Sequence, residues 1–297
     1  MSLNTLVIPA AGLGTRMRAL TRSQARAMNH TDLPKEMLGL GGKPAIQYAL
    51  ALGRDAGVSR AVVVLRQGKE IIGQYLRGES PHMFPEACEE LAGIREAMAL
   101  RFVFQSEPLG EGDAISLCRD LVGQEPFAVV YPDNVHLFRL NRDSALAALA
   151  SAQASLGADT LALMAVGEHN KRALCHSGRV DLREHSQGLY HISNFLLKTK
   201  GSFSPRFPGE LRTCGIYTAL PHYFDYIEQT RSEMGRPGPG NELTDGKVRR
   251  TMLGHGVSFF GLALSGEVCD VGNSLGYERC RNLLLEGEYS HLRSFPG

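Results

Sequence analysis

The sequence has no excess of charge of either sign and no long apolar run. Its 297 residues include 32 lysines and arginines against 31 aspartates and glutamates, a net charge of +1. A general nucleic-acid binder usually carries a clear basic excess, so nucleic acid is not an expected partner. No stretch of about 18 apolar residues could cross a bilayer, and no charged segment precedes an apolar leader. We therefore expect a cytoplasmic protein with no membrane partner.

Cysteine pairs with the spacing of a zinc site are also missing. The six cysteines are scattered along the chain, and no two of them form a CxxC pair. This excludes the common zinc-binding motifs. Cysteines scattered through a chain of this length are typical of reduced and mostly buried thiols. A sizeable core is possible, since 43% of the residues are hydrophobic and 21% are charged.

Apolar runs of strand length alternate with longer helical patterns through the first half of the chain. Strands are expected at Thr5–Pro9, Ala61–Leu65, Arg101–Gln105, Phe127–Tyr131 and Thr160–Val166, and helices at Pro44–Ala56, Lys69–Leu76, Asp113–Leu121 and Ser144–Ser155. In the less regular second half, strands are expected within Gly178–Leu197 and Leu211–Tyr217, and helices at Pro221–Gln229, Asn241–Leu253 and Leu275–Glu286. The β-α-β-α order predicts an α/β fold with a mostly parallel, mixed sheet and helices on both faces. Ligands of such sheets bind at the carboxyl ends of the strands.

The first predicted strand runs into a glycine-rich loop, Ala10-Ala11-Gly12-Leu13-Gly14-Thr15-Arg16. Small residues let backbone N–H groups approach a polyphosphate closely, and Arg16 would add a fork of donors for phosphate oxygens. The loop matches neither GxGxxG nor GxxxxGK followed by Ser or Thr, which excludes the dinucleotide fingerprint and the P-loop. On the glycines alone, a strand-to-helix turn without a ligand is an equally good interpretation.

A second motif, Pro34-Lys35-Glu36-Met37-Leu38, favours the phosphate-binding interpretation. Together with Gly12–Arg16 and Ile46–Tyr48, it resembles the signature of the sugar-nucleotide pyrophosphorylases, and of the bacterial UTP–glucose-1-phosphate uridylyltransferases in particular. The resemblance implies a Rossmann-like nucleotidyltransferase fold of the glycosyltransferase-A type. It also implies that Arg16 and Lys35 hold the triphosphate and its leaving pyrophosphate. A guanidinium fork and an ammonium suit a developing negative charge.

The stretch from Gln105 to Ala114 resembles the base-binding loop of the same family. There the glutamine amide reads the uracil edge, because an amide can donate and accept at once, and a glycine lets the base lie flat. The alternative for Gln105 is a polar strand end exposed to water. The resemblance implies nucleotide contacts at Ala10, Ala11, Gly12, Gly14, Thr15, Glu36, Gln105 and Gly110.

Two aspartates stand in motifs that match the metal ligands of the family. Asp133 ends an apolar strand, and Asp270 opens the sequence Asp-Val-Gly-Asn-x-Leu-Gly-Tyr. Each alone would be read as a cap or an Asx-turn. Together they imply an Mg²⁺ site, since Mg²⁺ is commonly held by one or two carboxylates plus substrate phosphates. Pro132 stands where the family has glycine and stiffens this loop.

The sugar pocket departs from the family pattern. Lys198 matches the lysine that pairs with the sugar phosphate, and the resemblance implies sugar contacts at Asn134, Leu197 and Gly215. Leu197, however, replaces a glutamate that accepts hydrogen bonds from glucose hydroxyls. Each hydroxyl left unpaired against leucine would cost about 1–3 kcal/mol. Farther along, the helix start Glu242–Asp245 also matches the family, and its last two residues suit caps as well as ligands.

The segment between Arg16 and Pro34 is longer than is usual in the family. It contains Arg18, Arg22 and Arg26. We expect a basic, exposed loop there, either a mobile flap or simply a solvated connection.

The resemblance implies that UTP and glucose 1-phosphate condense to UDP-glucose and pyrophosphate by Mg²⁺-assisted displacement at the α-phosphorus. The same chemistry on another sugar 1-phosphate or with dTTP remains open, as does a catalytically weak paralogue that binds nucleotide and regulates. We expect one domain over 1–297, with a nucleotide-binding half at about 1–135 and a sugar-phosphate half at about 136–297. The resemblance also implies a homo-oligomer.

Overall fold

A computed structural model of the chain describes residues 3–28, 30–138, 144–168, 170–174, 177–197, 204–238, 240–285 and 287–293. Its strands are β1 Thr5–Pro9, β2 Gly39–Leu40, β3 Lys43–Pro44, β4 Arg60–Leu65, β5 Ala99–Phe104, β6 Phe127–Val130, β7 Asn134–Leu137, β8 Asp159–Val166, β9 Gly178–Ser186, β10 Leu189–Phe195, β11 Glu210–Ala219, β12 Phe259–Ala263 and β13 Glu267–Asp270. Its α-helices are α1 Arg18–Ala27, α2 Ala45–Asp55, α3 Glu70–Leu76, α4 Cys88–Ala97, α5 Glu111–Ser116, α6 Arg119–Val122, α7 Ala145–Leu156, α8 His222–Met234, α9 Asp245–Gly254 and α10 Ser274–Leu285. Short 3₁₀ turns lie at Thr15–Met17, Lys35–Met37, Pro81–Met83, Pro85–Ala87 and Gly287–Leu292.

Nine strands form one mixed sheet in the order β5-β4-β1-β6-β11-β8-β12-β10-β9. The first four are parallel, β11 runs antiparallel to both β6 and β8, and β12 is parallel to β8. The predicted fold class is therefore confirmed. Because the sheet continues from the first half of the chain into the second, its strands join the two predicted halves. The assignment of one domain stays a prediction.

Successive residues of the central strands pack into two different cores, one on each face of the sheet. Leu6 and Ile8 of β1 belong to one cluster, and Val7 between them belongs to the other. Val62 and Val64 of β4 likewise pack on the opposite face from their neighbours. This is the alternation that a strand imposes on its side chains. A continuous apolar run is the pattern of a strand covered by helices on both faces.

The parallel strands bring their following loops to one edge of the sheet. Ala10, just after β1, donates its N–H to the Val64 carbonyl at 2.9 Å, and Gln105, just after β5, donates to the Leu65 carbonyl at 2.8 Å. The loop after β6 leads directly to Asp133. The loops singled out in the sequence therefore lie together at the carboxyl ends of β1, β4, β5 and β6.

The prediction of a loop between Arg16 and Pro34 is wrong for most of its length, because residues 18–27 form helix α1. Thr21 and Ala25 are buried four residues apart, so one face of the helix packs inward. Gln24 donates to the Tyr277 hydroxyl at 2.7 Å and accepts from the Gly39 N–H at 2.9 Å. The three arginines of this segment lie exposed on the helix.

Other elements differ from the prediction in smaller ways. The helix expected at Asp113–Leu121 is divided into α5 and α6, and the helix expected from Asn241 begins at Asp245. No prediction was made for α4 or for β12. Among the described residues, no helix is both long enough and apolar enough to span a membrane.

Candidate functional site

A cleft of about 640 Å³ opens at the carboxyl ends of the parallel strands. Most of the residues predicted for the site line it: Ala11, Gly12, Arg16, Lys35, Glu36, Gln105, Gly110, Asp133, Asn134, Leu197, Gly215 and Asp270. Ala10, Gly14 and Thr15 belong to the same loop but are not among its lining residues. Lys198 lies outside the described residues, so the structure says nothing of its place. The cleft thus gathers residues from both halves of the chain.

The glycine-rich loop after β1 packs against Lys35. Gly14 has a φ of +64°, a left-handed conformation that glycine adopts without strain. A Cβ on Gly14 would lie 3.5 Å from the Cγ of Lys35, so the loop and the lysine stem are in contact. Ala10 and Ala11 are buried, whereas Gly12 and Arg16 are exposed to the cleft. The loop thus places a run of backbone and one guanidinium along the cleft wall.

Lys35 forms an ion pair with Asp133 in the cleft. Burial by itself would lower the pKa of Lys35, but the carboxylates of Asp133, Glu36 and Asp270 together raise it above its ordinary value. The lysine therefore carries a full positive charge. That charge lies where an anionic ligand entering the cleft would meet it.

Asp133 and Asp270 are brought together by the pairing of β7 with β13. The register places Asn134 opposite Asp270, and the Val271 N–H donates to the Asp133 carbonyl oxygen at 2.7 Å. Gly272 lies against both carboxylates. A Cβ there would be 2.7 Å from an oxygen of Asp133 and 2.9 Å from an oxygen of Asp270.

The two carboxyl groups titrate differently because their surroundings differ. Burial, and then the neighbouring charge of Asp133, raises the pKa of Asp270 to about 6. Burial alone would also raise the pKa of Asp133, but the ion pair with Lys35 and the charge of Arg16 outweigh burial and lower it. Two like charges held this close and partly buried favour an additional cation between them.

The donor set fits Mg²⁺. Among the described residues no group of three or more histidine, cysteine or acidic side chains could form a metal site by itself. A pair of carboxylates beside a phosphate-binding loop is nevertheless the arrangement in which Mg²⁺ completes its ligands with substrate phosphates and water. Asp133 and Asp270 are the residues that could hold it.

Gln105 is buried, so the alternative of a solvent-exposed strand end is wrong. Its amide nitrogen donates to the Gly110 carbonyl at 3.2 Å and to a carboxylate oxygen of Asp113 at 2.7 Å. The amide oxygen accepts no hydrogen bond from the described residues. Gln105 can therefore accept a hydrogen bond from a ligand in the cleft, such as the N3–H of a pyrimidine base.

Position 110 must be glycine because the backbone of a neighbouring segment approaches it closely. Its φ is +117°, and a Cβ there would overlap the carbonyl of Leu243. The Leu243 N–H donates to the Leu109 carbonyl at 2.7 Å, and the Gly112 N–H donates to the Leu243 carbonyl at 2.8 Å. These bonds fix the loop after β5 against the start of α9.

Position 215, which also lines the cleft, must be glycine because neighbouring side chains approach it closely. It interrupts the pairing of β11 with β8 and has a φ of +73°. A Cβ there would lie 2.6 Å from the side-chain nitrogen of Asn134 and 3.0 Å from the ring of Tyr131. Leu197 lines the same region, and its side chain is 65% exposed. The predicted sugar end therefore contains an uncovered apolar side chain.

A buried polar cluster around Asp245 was not predicted. One carboxylate oxygen of Asp245 accepts from the hydroxyls of Tyr131 and Tyr217, the latter at 2.9 Å, and from Arg249 at 3.0 Å. The Arg249 guanidinium also lies 4.2 Å from the centre of the Tyr217 ring. The other oxygen of Asp245 has no hydrogen-bond partner among the described residues. Thr244 caps α9 by accepting a hydrogen bond from the Lys247 N–H, and both Thr244 and Asp245 line the cleft.

The chain resembles known proteins along nearly its whole length. Residues 5–174 match the model of the nucleotidyl transferase family. The chain is 29% identical to the UTP--glucose-1-phosphate uridylyltransferase of Pseudomonas aeruginosa, over 95% of this chain and 96% of that protein.

Solved structures show the same fold. A UDP-glucose pyrophosphorylase complexed with UDP-glucose has a TM-score of 0.78 at 24% identity, covering 96% of this chain and 99% of that one. An apo UDP-glucose pyrophosphorylase has a TM-score of 0.78 at 25% identity, covering 96% and 98%. The resemblance read from the motifs is confirmed. The family match covers more than half of the residues of this chain. The chain therefore belongs to the nucleotidyl transferases, a family of enzymes.

Proposed function

We propose that the chain condenses UTP with glucose 1-phosphate, giving UDP-glucose and pyrophosphate, with Mg²⁺ as cofactor. The observation that carries this proposal is the meeting of Lys35, Asp133 and Asp270 in the cleft that the glycine-rich loop lines. Such a group of charges suits a polyphosphate and its cation. The similarity to a UTP--glucose-1-phosphate uridylyltransferase over 95% of the chain supports the choice of substrates.

In the proposed reaction, a phosphate oxygen of the sugar 1-phosphate attacks the α-phosphorus of UTP. The new P–O bond forms as the bond to the departing pyrophosphate breaks, and no protein nucleophile is needed. Arg16 and Lys35 bind the triphosphate oxygens and stabilise the charge that grows on pyrophosphate. Because Lys35 is paired with Asp133, it must give up part of that contact when a nucleotide enters.

Asp133 and Asp270 would hold the Mg²⁺ ion. When bound, Mg²⁺ supplies neutralisation of the phosphate charge in the transition state. The protein supplies placement: Gly272 leaves room for both carboxylates, and the bond from Val271 to Asp133 keeps their loops together. Positioning of two reactants in one cleft accounts for a large part of the rate enhancement in such reactions.

Gln105 would select the base and the far end of the cleft would select the sugar. The free amide oxygen of Gln105 can accept from the N3–H of uracil, and thymine presents the same group, so dTTP remains an alternative nucleotide. Leu197 favours a second candidate, the same chemistry on another sugar 1-phosphate. Its exposed side chain offers no acceptor to a hydroxyl. A cytoplasmic homo-oligomer remains a prediction.

The test is a pyrophosphate-release assay with Mg²⁺, in which UTP and dTTP are each combined with a panel of sugar 1-phosphates that includes glucose 1-phosphate. We expect the highest kcat/KM with UTP and glucose 1-phosphate. A higher value with another acceptor would favour the second candidate. Nucleotide binding without pyrophosphate release from any pair would reject both and favour a regulatory paralogue.

A further inference from the structure

Lys69 is a buried lysine that touches two elements of the nucleotide end of the cleft without lining the cleft itself. It follows β4 and immediately precedes α3, and only 4% of its surface is exposed. Its ammonium group donates to the carbonyl oxygen of Ala10 at 2.6 Å and to a carboxylate oxygen of Glu36 at 2.8 Å. Glu36 is itself 1% exposed. A buried ion pair of this kind needs a reason, because it gains little stability over apolar residues of the same size.

The contact with Ala10 fixes the orientation of the glycine-rich loop where it begins. The N–H of Ala10 already donates to Val64, so the bond from Lys69 secures the other polar group of this residue. In a planar trans peptide the carbonyl and the next N–H point in opposite directions. With the Ala10 carbonyl held toward Lys69, the N–H of Ala11 points away from Lys69. Ala11 lines the cleft.

The contact with Glu36 pairs the negative charge that lies beside Lys35. From Lys69 the charges alternate in sign through Glu36 and Lys35 to Asp133. The carboxylate of Glu36 acts on Lys35 electrostatically. Without Lys69, Glu36 would be a buried and unpaired carboxylate next to the lysine that the triphosphate needs. It would then compete with the triphosphate for Lys35.

We propose that Lys69 is a positioning residue for the triphosphate, acting through the Ala10 carbonyl on the glycine-rich loop and through Glu36 on Lys35. This rests on the proposed function, in that the ligand of the loop is taken to be a nucleoside triphosphate. Glu36 then serves as the link between the two lysines.

The test compares Lys69→Met with Lys43→Met, a control from a second buried ion pair. Lys43 is 3% exposed and pairs with Glu90 at 2.8 Å, away from the cleft. Both variants should lower the melting temperature. Only Lys69→Met should raise the KM for UTP, by about tenfold or more, while the KM for glucose 1-phosphate changes less than about twofold. A Lys69→Met variant that loses stability but keeps the parental KM for UTP would overturn the proposal.

A second variant separates the two contacts and guards against misfolding. In Lys69→Met combined with Glu36→Gln, no buried charge is left unpaired, so stability should recover toward that of the parent. The affinity for UTP should recover only in part, because the Ala10 carbonyl still lacks its donor. Full recovery of UTP affinity would overturn the role of Lys69 in orienting the loop.

Calorimetry with UTP and Mg²⁺ on the same proteins needs no turnover. A parent that binds UTP but releases no pyrophosphate would contradict the proposed function alone. The comparison of dissociation constants between the parent and Lys69→Met would still decide the role of Lys69.

Discussion

The backbone N–H of Val271 donates to the carbonyl oxygen of Asp133 at 2.7 Å, across 138 positions of sequence. This bond extends the pairing of β7 with β13 by one step past Asp270. It brings the loop after β6 beside the loop after β13, so that two carboxylates from distant motifs enter one cleft. Strand pairing therefore sets the positions of the two aspartate backbones, and substitutions of the two carboxylates can test their role without disturbing that pairing.

We predict that Asp133→Asn and Asp270→Asn each reduce kcat by about a hundredfold or more, since loss of a metal-ligand charge costs several kcal/mol of transition-state stabilisation. Asparagine has nearly the same volume, so the folded structure should persist. The measurement is kcat as a function of Mg²⁺ concentration, with circular dichroism as the check on folding. Asp120→Asn, at an exposed position on α6, is the control and should match the parent. Near-parental turnover at limiting Mg²⁺ would exclude that aspartate as a ligand.

We predict that Gly272→Ala weakens the binding of Mg²⁺ more than it destabilises the fold. The added Cβ would lie 2.7 Å and 2.9 Å from oxygens of Asp133 and Asp270, closer than such atoms normally approach. The carboxylates must therefore shift, and the Mg²⁺ concentration for half-maximal activity should rise by about tenfold. Gly93→Ala is a matched control in α4, where a Cβ meets nothing within 4 Å. It should be neutral or slightly stabilising. If both variants need the same Mg²⁺ concentration as the parent, Gly272 has no part in spacing the carboxylates.

The strands and the motif loops could be predicted because their signals are local. Thr5–Pro9 and Phe127–Val130 are apolar runs that any central strand of an α/β sheet shows, and the glycine-rich loop follows its strand directly. The order of these elements then decides which loops share the carboxyl edge. Arg16 and Lys35 could be expected in one site for a different reason, the resemblance of their motifs to those of the family.

The parts that could not be predicted depend on contacts between distant segments. Helix α1 buries only the polar Thr21 and the small Ala25, which do not form a recognisable apolar stripe in the sequence. Its Gln24 forms a hydrogen bond with Tyr277, far away in the sequence. The burial of Lys69 could not be predicted from the sequence either, since a lysine after glycine normally lies in an exposed turn. The Asp245 cluster likewise exists only once β6, β11 and α9 meet.

We predict that the buried imidazole of His136 makes stability depend on pH. Burial lowers the pKa of His136 to about 4, below the unfolded value of 6.5. The contribution of the neutral imidazole to the free energy of unfolding is therefore complete above pH 6.5 and is lost as pH falls toward 4. The loss is up to about 1.4 kcal/mol per pH unit, because the unfolded chain takes up the proton at a higher pH than the folded chain does. Between pH 7 and pH 5, the free energy of unfolding should fall by about 1–2 kcal/mol less in His136→Phe than in the parent.

Urea unfolding at the two pH values measures this difference. The control is His82→Phe, at an exposed histidine, and it should keep the parental pH dependence. Equal pH dependence in the parent and His136→Phe would show that His136 takes up its proton equally well in the folded and unfolded chains.

The last prediction concerns Leu197, which lines the cleft with a 65% exposed side chain where the family has a glutamate. We predict that Leu197→Glu raises kcat/KM for glucose 1-phosphate. A recovered hydrogen bond to a charged acceptor is worth about 1.5–3 kcal/mol, or roughly tenfold to a hundredfold. Because the position is open, the carboxylate stays hydrated in the free enzyme and should not destabilise the fold. Leu285→Glu, at an exposed leucine outside the cleft, controls for the added charge.

The outcome also bears on the native acceptor. If the natural sugar presents a deoxy or otherwise apolar edge to Leu197, the glutamate would face that edge unpaired when the sugar binds, and the native reaction would slow. The measurement is therefore kcat/KM for glucose 1-phosphate and for the best acceptor of the panel, in both proteins. An unchanged or lower value with glucose 1-phosphate would mean that Leu197 does not mark a lost glucose contact. The case for glucose as the substrate would then rest on the similarity to known relatives alone.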